Sequence, residues 1–433
     1  MAVAHQICCG MDVHKKFLVA TIIKTEGATA KYTKKRFSTF NGQLRQLKDW
    51  LLENNCLDVC MESTGKYWVP VYNILEGHVR ITVANPKWVK AVAGNKDDAK
   101  DSKWIGDLFR LGLVPGSFIP PKDIRILREL TRYRFKLVGI RSGERNRYQN
   151  CFTVCNVALD AIVSDMFGKS ALNVTGHILN HEETCFDDIG PMLHYKMKAT
   201  PEDVFASIDG YAMTYEQKQR AKLVLEHHDY LDGEIVQLDA IIAKMAEPYE
   251  SAIGLLCTIP GIQRSSAIKI IAECGTDMSQ FQNSRCFCNW AGLTPGNNES
   301  AGKKFSVHIR KAGVYIKPAL VEVAHGAVSS KGEAYYRTKF ERISKRTGKK
   351  RAYIAIARMI LTAVYHMLST GEVWNPVDLA KIDTPPEIRK KRTEAAITKA
   401  AKLLVGHGLI DEEFLETLKK SLPTIIEKEL APA

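Results

Sequence analysis

The stretch QICCGMDVHKKFLVATIIK, residues 6 to 24, decides the fold. Two runs rich in β-branched and apolar residues, Gln6 to Val13 and Phe17 to Lys24, flank a short polar break, as paired strands do. Thr29 to Phe37 reads as a third strand, and a helix is predicted over Gly42 to Asn54. Two further strands follow, Cys56 to Met61 (CLDVCM) and Val79 to Ala84 (VRITVA), with a helix over Tyr67 to Leu75 between them. Strands first, then strand and helix in alternation, predict a mixed sheet covered by helices.

From Ile126 the period changes. Ile126, Leu130, Tyr133, Leu137 and Ile140 recur at intervals of four and three, and Leu231, Ile235, Leu238, Ile242 and Met245 do the same. Each is a heptad seam, and two such helices can pair as an antiparallel coiled coil, although Gly233 lies inside the second. Residues 151 to 215 are mixed in composition and carry no readable function. A second globular unit begins near Ser251 with LLCTIPGIQRSSAIKIIAECG, and a helical appendage follows the Trp374-Asn375-Pro376 break. The expected segments are 1–120, 121–250, 251–372 and 373–433.

Sixty-one Lys and Arg stand against 48 Asp and Glu, a formal charge of +13. A surface so basic concentrates polyanions, nucleic acid above all. No unbroken apolar run reaches the ~18 residues of a membrane span, and the start lacks the pattern of a secretion signal. A cytoplasmic protein with no membrane partner is expected. The eleven cysteines are odd in number and form no paired CxxC frame, so reduced, mostly buried thiols are expected. His177, His181 and Cys185 fall at helical spacing but lack a fourth metal ligand.

Acids concentrate in an otherwise basic stretch, GNKDDAKDSKW, residues 94 to 104. Asp98 and Asp101 are three apart and share a helical face. Asp12 closes or closely follows the first strand, in GMDVHKK, and Glu62 ends the strand CLDVCME. Four carboxylates at one end of a sheet repel one another unless divalent cations hold them, and two-metal phosphoryl transfer uses such oxygen ligands. The plainer alternative is a solvated pair of acids beside Lys96, Lys100 and Lys103.

Asp12 in GMDVHKK, Glu62 in MESTGKYW, and Asp98 with Asp101 in NPKWVKAVAGNKDDAKDSKW resemble the DEDD tetrad of insertion-sequence transposases with a RuvC-like, ribonuclease H-fold domain. TIPGIQRSSAIKIIAECG, FCNWAGLTPGNNESAGK and HIRKAGVYIKPALVEVA are similar to the second region of the same family. The resemblance covers roughly residues 5 to 148 and 251 to 368. It implies an α/β plus α architecture: a RuvC-like mixed-sheet domain, a coiled-coil middle, and a mainly helical transposase domain with a helix-hairpin-helix-like segment. It further implies an RNA-guided recombinase whose nucleophile is Ser300 in NNESAGK. Mg²⁺ or Mn²⁺ would then be held by Asp12, Glu62, Asp98 and Asp101. On residues alone, Ser300 is a turn serine in a basic loop with Gly296, Gly302, Lys303 and Lys304, and Ser306 and Ser265-Ser266 are lesser candidates. Gln263 stands where many members of the family carry a second glycine.

Positive charge is uneven. Lys122 to Arg147 holds nine Lys or Arg against three acids, and Lys331 to Arg351 nine against two, with Tyr335, Tyr336 and Tyr353 interleaved. Such stripes suit a phosphate backbone. The expected nucleic-acid contacts are Arg125, Arg128, Arg132, Lys303, Lys304, Arg310, Lys311, Arg337, Lys345, Arg346, Lys349, Lys350 and Arg351. The resemblance implies donor and target DNA, a structured non-coding guide RNA, and a homodimer or homotetramer assembled on the heptad seams in a bacterial or archaeal nucleoid. Two alternatives stay open: a junction-resolving metal nuclease that uses water as nucleophile, and a non-catalytic nucleic-acid-binding protein.

Overall fold

The structure is a computed structural model that describes residues 3–27, 29–63, 65–89, 98–296, 298–300, 303–306, 308–330 and 334–376, with six positions between 397 and 418. For 88, 98–100, 298–300 and 303–306 it describes the backbone alone. Most of the expected helical tail, 373–433, therefore lies outside the described residues. The chain forms two units, Met1–Pro120 and Pro121–Ala433.

The first unit runs β1 (Ile7–Val13), β2 (Phe17–Glu26), β3 (Thr29–Ser38), α1 (Asn41–Glu53), β4 (Asp58–Glu62), α2 (Trp68–Leu75), β5 (Arg80–Ala84), α3 (Pro86–Val89) and α4 (Asp98–Arg110). The five strands form one sheet in the order β3-β2-β1-β4-β5. β1 pairs antiparallel with β2 and parallel with β4, so the sheet is mixed, as the sequence predicts. Cys9, Met11 and Val13 join Leu44, Leu51, Val71 and Leu75 in one core, on the side of α1 and α2. On the opposite face Cys8 and Cys60 meet Ile105 and Phe109 of α4. Burial on both faces explains why β1 reads as a nearly continuous apolar run rather than an alternating one. It also pushes the thiols of Cys8, Cys56 and Cys60 up to about 12, far from a reactive thiolate.

The second unit contains α5 (Lys122–Thr153), α6 (Lys169–Asn180), α7 (Phe186–Met192), α8 (Pro201–Ile208), α9 (Tyr215–Ala246), α10 (Glu250–Cys257), α11 (Arg264–Cys274) and α12 (Ser284–Trp290). A hairpin of β6 (Asn298–Ser300) and β7 (Lys303–Ser306) follows, then α13 (Ile316–Ser329), α14 (Tyr335–Thr347) and α15 (Lys349–Thr370). The stretch from 151 to 215, unreadable from sequence, closes a small helical core: Val174, Ile178, Ile189 and Val204 pack with Tyr148 and Phe152 of α5.

α5 and α9 pair antiparallel, as the bridges Arg134–Asp239, Arg141–Asp232 and His227–Glu144 show. α9 is unbroken through Gly233, and its predicted residues Leu231, Ile235, Leu238 and Ile242 are buried. The predicted seam of α5 is largely displaced: Leu137 is buried as predicted, but Ile126, Tyr133 and Ile140 are exposed, and Ile124, Leu127 and Thr131 are buried in their place. The row continues through the half-buried Arg134 and Arg141. These side chains span the interface to aspartates of α9, so a count of apolar residues passes over them.

α15 is long and apolar enough to cross a membrane by length and composition, with mean hydropathy 1.4 in its best window. Its Ile356, Ile360, Leu361 and Val364 are nevertheless fully buried within this unit, which accounts for the composition of a core helix.

Candidate active site

Side chains alternate along a strand, so Cys8, Gly10 and Asp12 of β1 share the face that α4 covers, as do Cys60 and Glu62 of β4. Met11 is the last β1 residue registered with β4, opposite Met61. Asp12 and Glu62 therefore follow side by side, on neighbouring parallel strands about 4.8 Å apart. Asp12 is buried and Glu62 half-buried. His14 Nε2 lies 2.9 Å from Asp12 Oδ2 across the turn that leads to β2.

α4 runs antiparallel to β1. Its last residue, Arg110, accepts a hydrogen bond from the Ala4 amide at 2.8 Å, and the ring of Phe109 stacks on His5 at 4.3 Å. Further along, the helix lies directly on the strand: a Cβ placed on Gly10 would stand 2.3 Å from both Gly106 N and Ser102 O. The buried hydroxyls of Ser102 and Thr21 hydrogen-bond at 2.8 Å and fix the helix over β2 as well. This contact sets the level of the acids. Two strand residues, from Gly10 to Asp12, advance about 6.6 Å, and four helical residues, from Ser102 back to Asp98, advance about 6 Å. The N-terminal turn of α4, with Asp98 and Asp101, thus reaches the end of the sheet where Asp12 and Glu62 lie. Asp101 is half-buried, whereas the Asp98 side chain lies outside the described residues.

Among the described residues no three His, Cys, Asp or Glu side chains stand close enough to hold a metal ion. That holds also for His177, His181 and Cys185: the two rings stack at 3.9 Å and the His177 side faces Asp188. Asp12, Glu62 and Asp101 offer carboxylate oxygens, the kind of ligand Mg²⁺ or Mn²⁺ takes, but their described side chains do not converge closely enough to form a metal site.

Ser300 is in the second unit. It ends β6 and pairs in register with Lys303 across the hairpin; the side chains of Ser300, Lys303 and Lys304 lie outside the described residues. Below the hairpin the two chains stay together, with Gly296 N donating to His308 O at 2.9 Å and Arg310 N to Thr294 O at 3.3 Å.

The basic stripes divide once their partners are seen. Arg128 donates to the carbonyls of Ala272 and Glu273, at 3.0 and 2.5 Å, and so caps the C-terminus of α11. Burial pushes its guanidinium down to about 10, opposed by the charge of Glu273. Arg132 forms a two-pronged bridge to the Glu273 carboxylate at 2.6 and 2.7 Å and lies over the Tyr315 ring. Arg337 donates to the carbonyls of Val328 and Ser330. Tyr335 and Tyr336 are buried against Trp374 rather than offered to bases. Of the expected contacts, Arg310 and Lys311 beside the hairpin are exposed, as are Lys345, Arg346, Lys349, Lys350 and Arg351 where α14 meets α15. Arg125 is half-buried.

The segment that resembles a helix-hairpin-helix consists of α10, a tight turn and α11. Gly261 in that turn has φ +90°, and a Cβ there would meet Ala327 N at 2.5 Å, so its bare side is filled by α13. Gln263 precedes α11 in extended backbone and needs no glycine. Sequence reading also missed His14, Gly10, Gly106, Ser102 and Glu273. GMDVHKK already held two of them, and the small residues Gly10 and Gly106 were a legible sign of close packing.

Comparison with known families agrees with this arrangement. Residues 9–156 match a family model described as Transposase, of the IS110 DEDD type. The chain is thus built as a DNA-acting transposase. Residues 254–339 match the model described as Transposase IS116/IS110/IS902 family, and the two matches in this order support an IS110-type transposase. No curated protein matches the chain.

Proposed function

We propose that this chain cuts and rejoins DNA strands of an insertion element and its target through a covalent phosphoserine at Ser300. The observation that carries the reading is the placement of Asp12 and Glu62 on adjacent strand ends, beneath the N-terminal turn of the helix that bears Asp98 and Asp101. These four carboxylates would hold Mg²⁺ or Mn²⁺. A divalent ion there supplies charge neutralisation at the scissile phosphate.

The chain's own residues do the rest. The Ser300 hydroxyl forms the new bond to phosphorus as the bond from phosphorus to a DNA oxygen breaks, and the proton that Ser300 gives up ends on the released DNA hydroxyl. Attack by a DNA hydroxyl on the phosphoserine reverses the exchange and frees Ser300, so no nucleotide hydrolysis is consumed. His14 beside Asp12 orients that carboxylate. A structured guide RNA paired to donor and target DNA would supply sequence recognition, leaving the exposed cations to hold backbone. Exchange between two duplexes calls for several active sites, hence a dimer or tetramer.

The test traps protein-linked DNA from the full chain with its co-purified RNA, with and without Mg²⁺. Wild type forms an adduct only with Mg²⁺, and Ser300→Ala and Asp101→Asn form none. Strand cleavage that persists in Ser300→Ala would replace this reading with a nuclease that uses water. Unimpaired function in both variants would leave only a binding protein.

A further inference from the structure

Between α15 and the chain at the base of the Ser300 hairpin lies a groove of about 720 Å³. Its floor is apolar, made by Leu293, Ile309, Ile354 and Met359, and its rim is cationic, with Lys350, Arg351 and Arg358 on α15 and His308 opposite. Among the described residues no carboxylate lines it. Lys350, Arg351, Arg358 and His308 are exposed. Arg351 and Arg358 are seven residues apart, two helical turns or about 10.5 Å along one face.

A paired duplex has no use for an apolar floor, because its base faces are already stacked. An unpaired strand presents both surfaces at once: phosphates outward to cations, and bases that need an apolar seat. The groove is also close to the proposed chemistry. Pro295 pairs with Ile309 at its edge, and Ser300 is five residues further along the chain, at most about 18 Å away even if fully extended.

We propose that this groove seats an unpaired stretch of the DNA strand next to the phosphate attacked by Ser300. Arg351, Arg358 and Lys350 hold its backbone, and Ile309, Ile354 and Met359 receive an unstacked base. The proposal rests on the phosphoserine reading for its place in the reaction, but the binding itself does not.

The experiment uses the full chain without divalent metal and compares a fluorescent duplex containing a short unpaired gap with the same duplex fully paired. Wild type binds the gapped duplex more tightly. The double variant Arg351→Gln/Arg358→Gln is expected to lose at least tenfold on the gapped duplex, with a log–log salt slope shallower by about 1.4, two single-strand phosphates' worth. Ala355→Trp, which fills the groove without changing charge, is expected to abolish the preference for the gap while leaving duplex affinity within twofold. Wild-type preference and slope in both variants would overturn the proposal, as would tighter binding of an all-RNA strand in the gap. Because the assay needs no Ser300 chemistry, failure to form an adduct in wild type would sink the phosphoserine reading and leave this result standing.

Discussion

Gly10 and Gly106 bring β1 and α4 together backbone to backbone: a Cβ on Gly10 would lie 2.3 Å from Gly106 N. Any larger side chain lifts the helix off the strand, and with it the turn that holds Asp98 and Asp101. Gly10→Ala is expected to cost about 1–3 kcal/mol, as overpacking does, and to abolish DNA cleavage. Gly106→Ala costs less, since its nearest obstacle, at 2.7 Å, is the flexible tip of Ile23. Chemical unfolding of both variants checks the order; equal losses would contradict it.

Charge alone does not mark a DNA contact, and two arginines make the difference measurable. Arg128→Ala removes the cap from α11 and should cost about 1–3 kcal/mol of stability, with no change in the salt dependence of DNA binding. Arg351→Gln should do the reverse, leaving the melting temperature alone and making the salt slope on the gapped duplex shallower by about 0.7. Matching effects from the two would mean that the division between inward and outward cations is wrong.

The displaced seam of α5 gives a second contrast. Leu238→Ala in α9 empties a buried site and should cost about 2–5 kcal/mol. Tyr133→Ala, on the exposed row of α5, should stay within about 0.5 kcal/mol in the monomer. A large loss for Tyr133→Ala at protein concentrations that exclude association would restore the apolar row as the internal seam.

Asp58 opens the strand that ends in Glu62. A hydrogen bond from Arg80, at 2.7 Å, holds its carboxyl below the ordinary range, helped by His5. Because the folded value is lowered, this stabilisation is complete above the unfolded value of about 3.9 and is lost as pH falls through the folded one. Asp58→Asn should therefore flatten the fall in stability below about pH 4 and leave its shape near pH 7 unchanged. An identical acid limb in both proteins would exclude Asp58 as its source.

The sheet was legible because β1 and β4 carry their apolar runs in short stretches that stop at Asp12 and Glu62. The heptads were legible in α9, where Leu231, Ile235, Leu238 and Ile242 make a buried apolar row, but not in most of α5, where Arg134 and Arg141 occupy the interface. The partner of Arg132 is 141 residues away in sequence, so nothing local distinguishes it from a surface cation. Separation in sequence likewise hides the Ser102–Thr21 bond, 81 residues apart, and the groove beneath the hairpin, which only the folded chain assembles. Residues 151 to 215 gave no sign of function, and their structure shows why their mixed composition still folds: one helix face each, closed on Tyr148 and Phe152.

The central claim is that metal-bound carboxylates and Ser300 act on one phosphate. Replacing a non-bridging oxygen of the scissile phosphate with sulfur tests it, because sulfur is a poor ligand for Mg²⁺ and a better one for the softer Mn²⁺. With that substrate, adduct formation at Ser300, mapped by mass spectrometry, should fall at least tenfold in Mg²⁺, recover in Mn²⁺, and fail to recover in Asp12→Asn. An adduct at Ser300 that forms equally in either metal, or in neither metal's presence, would contradict the account.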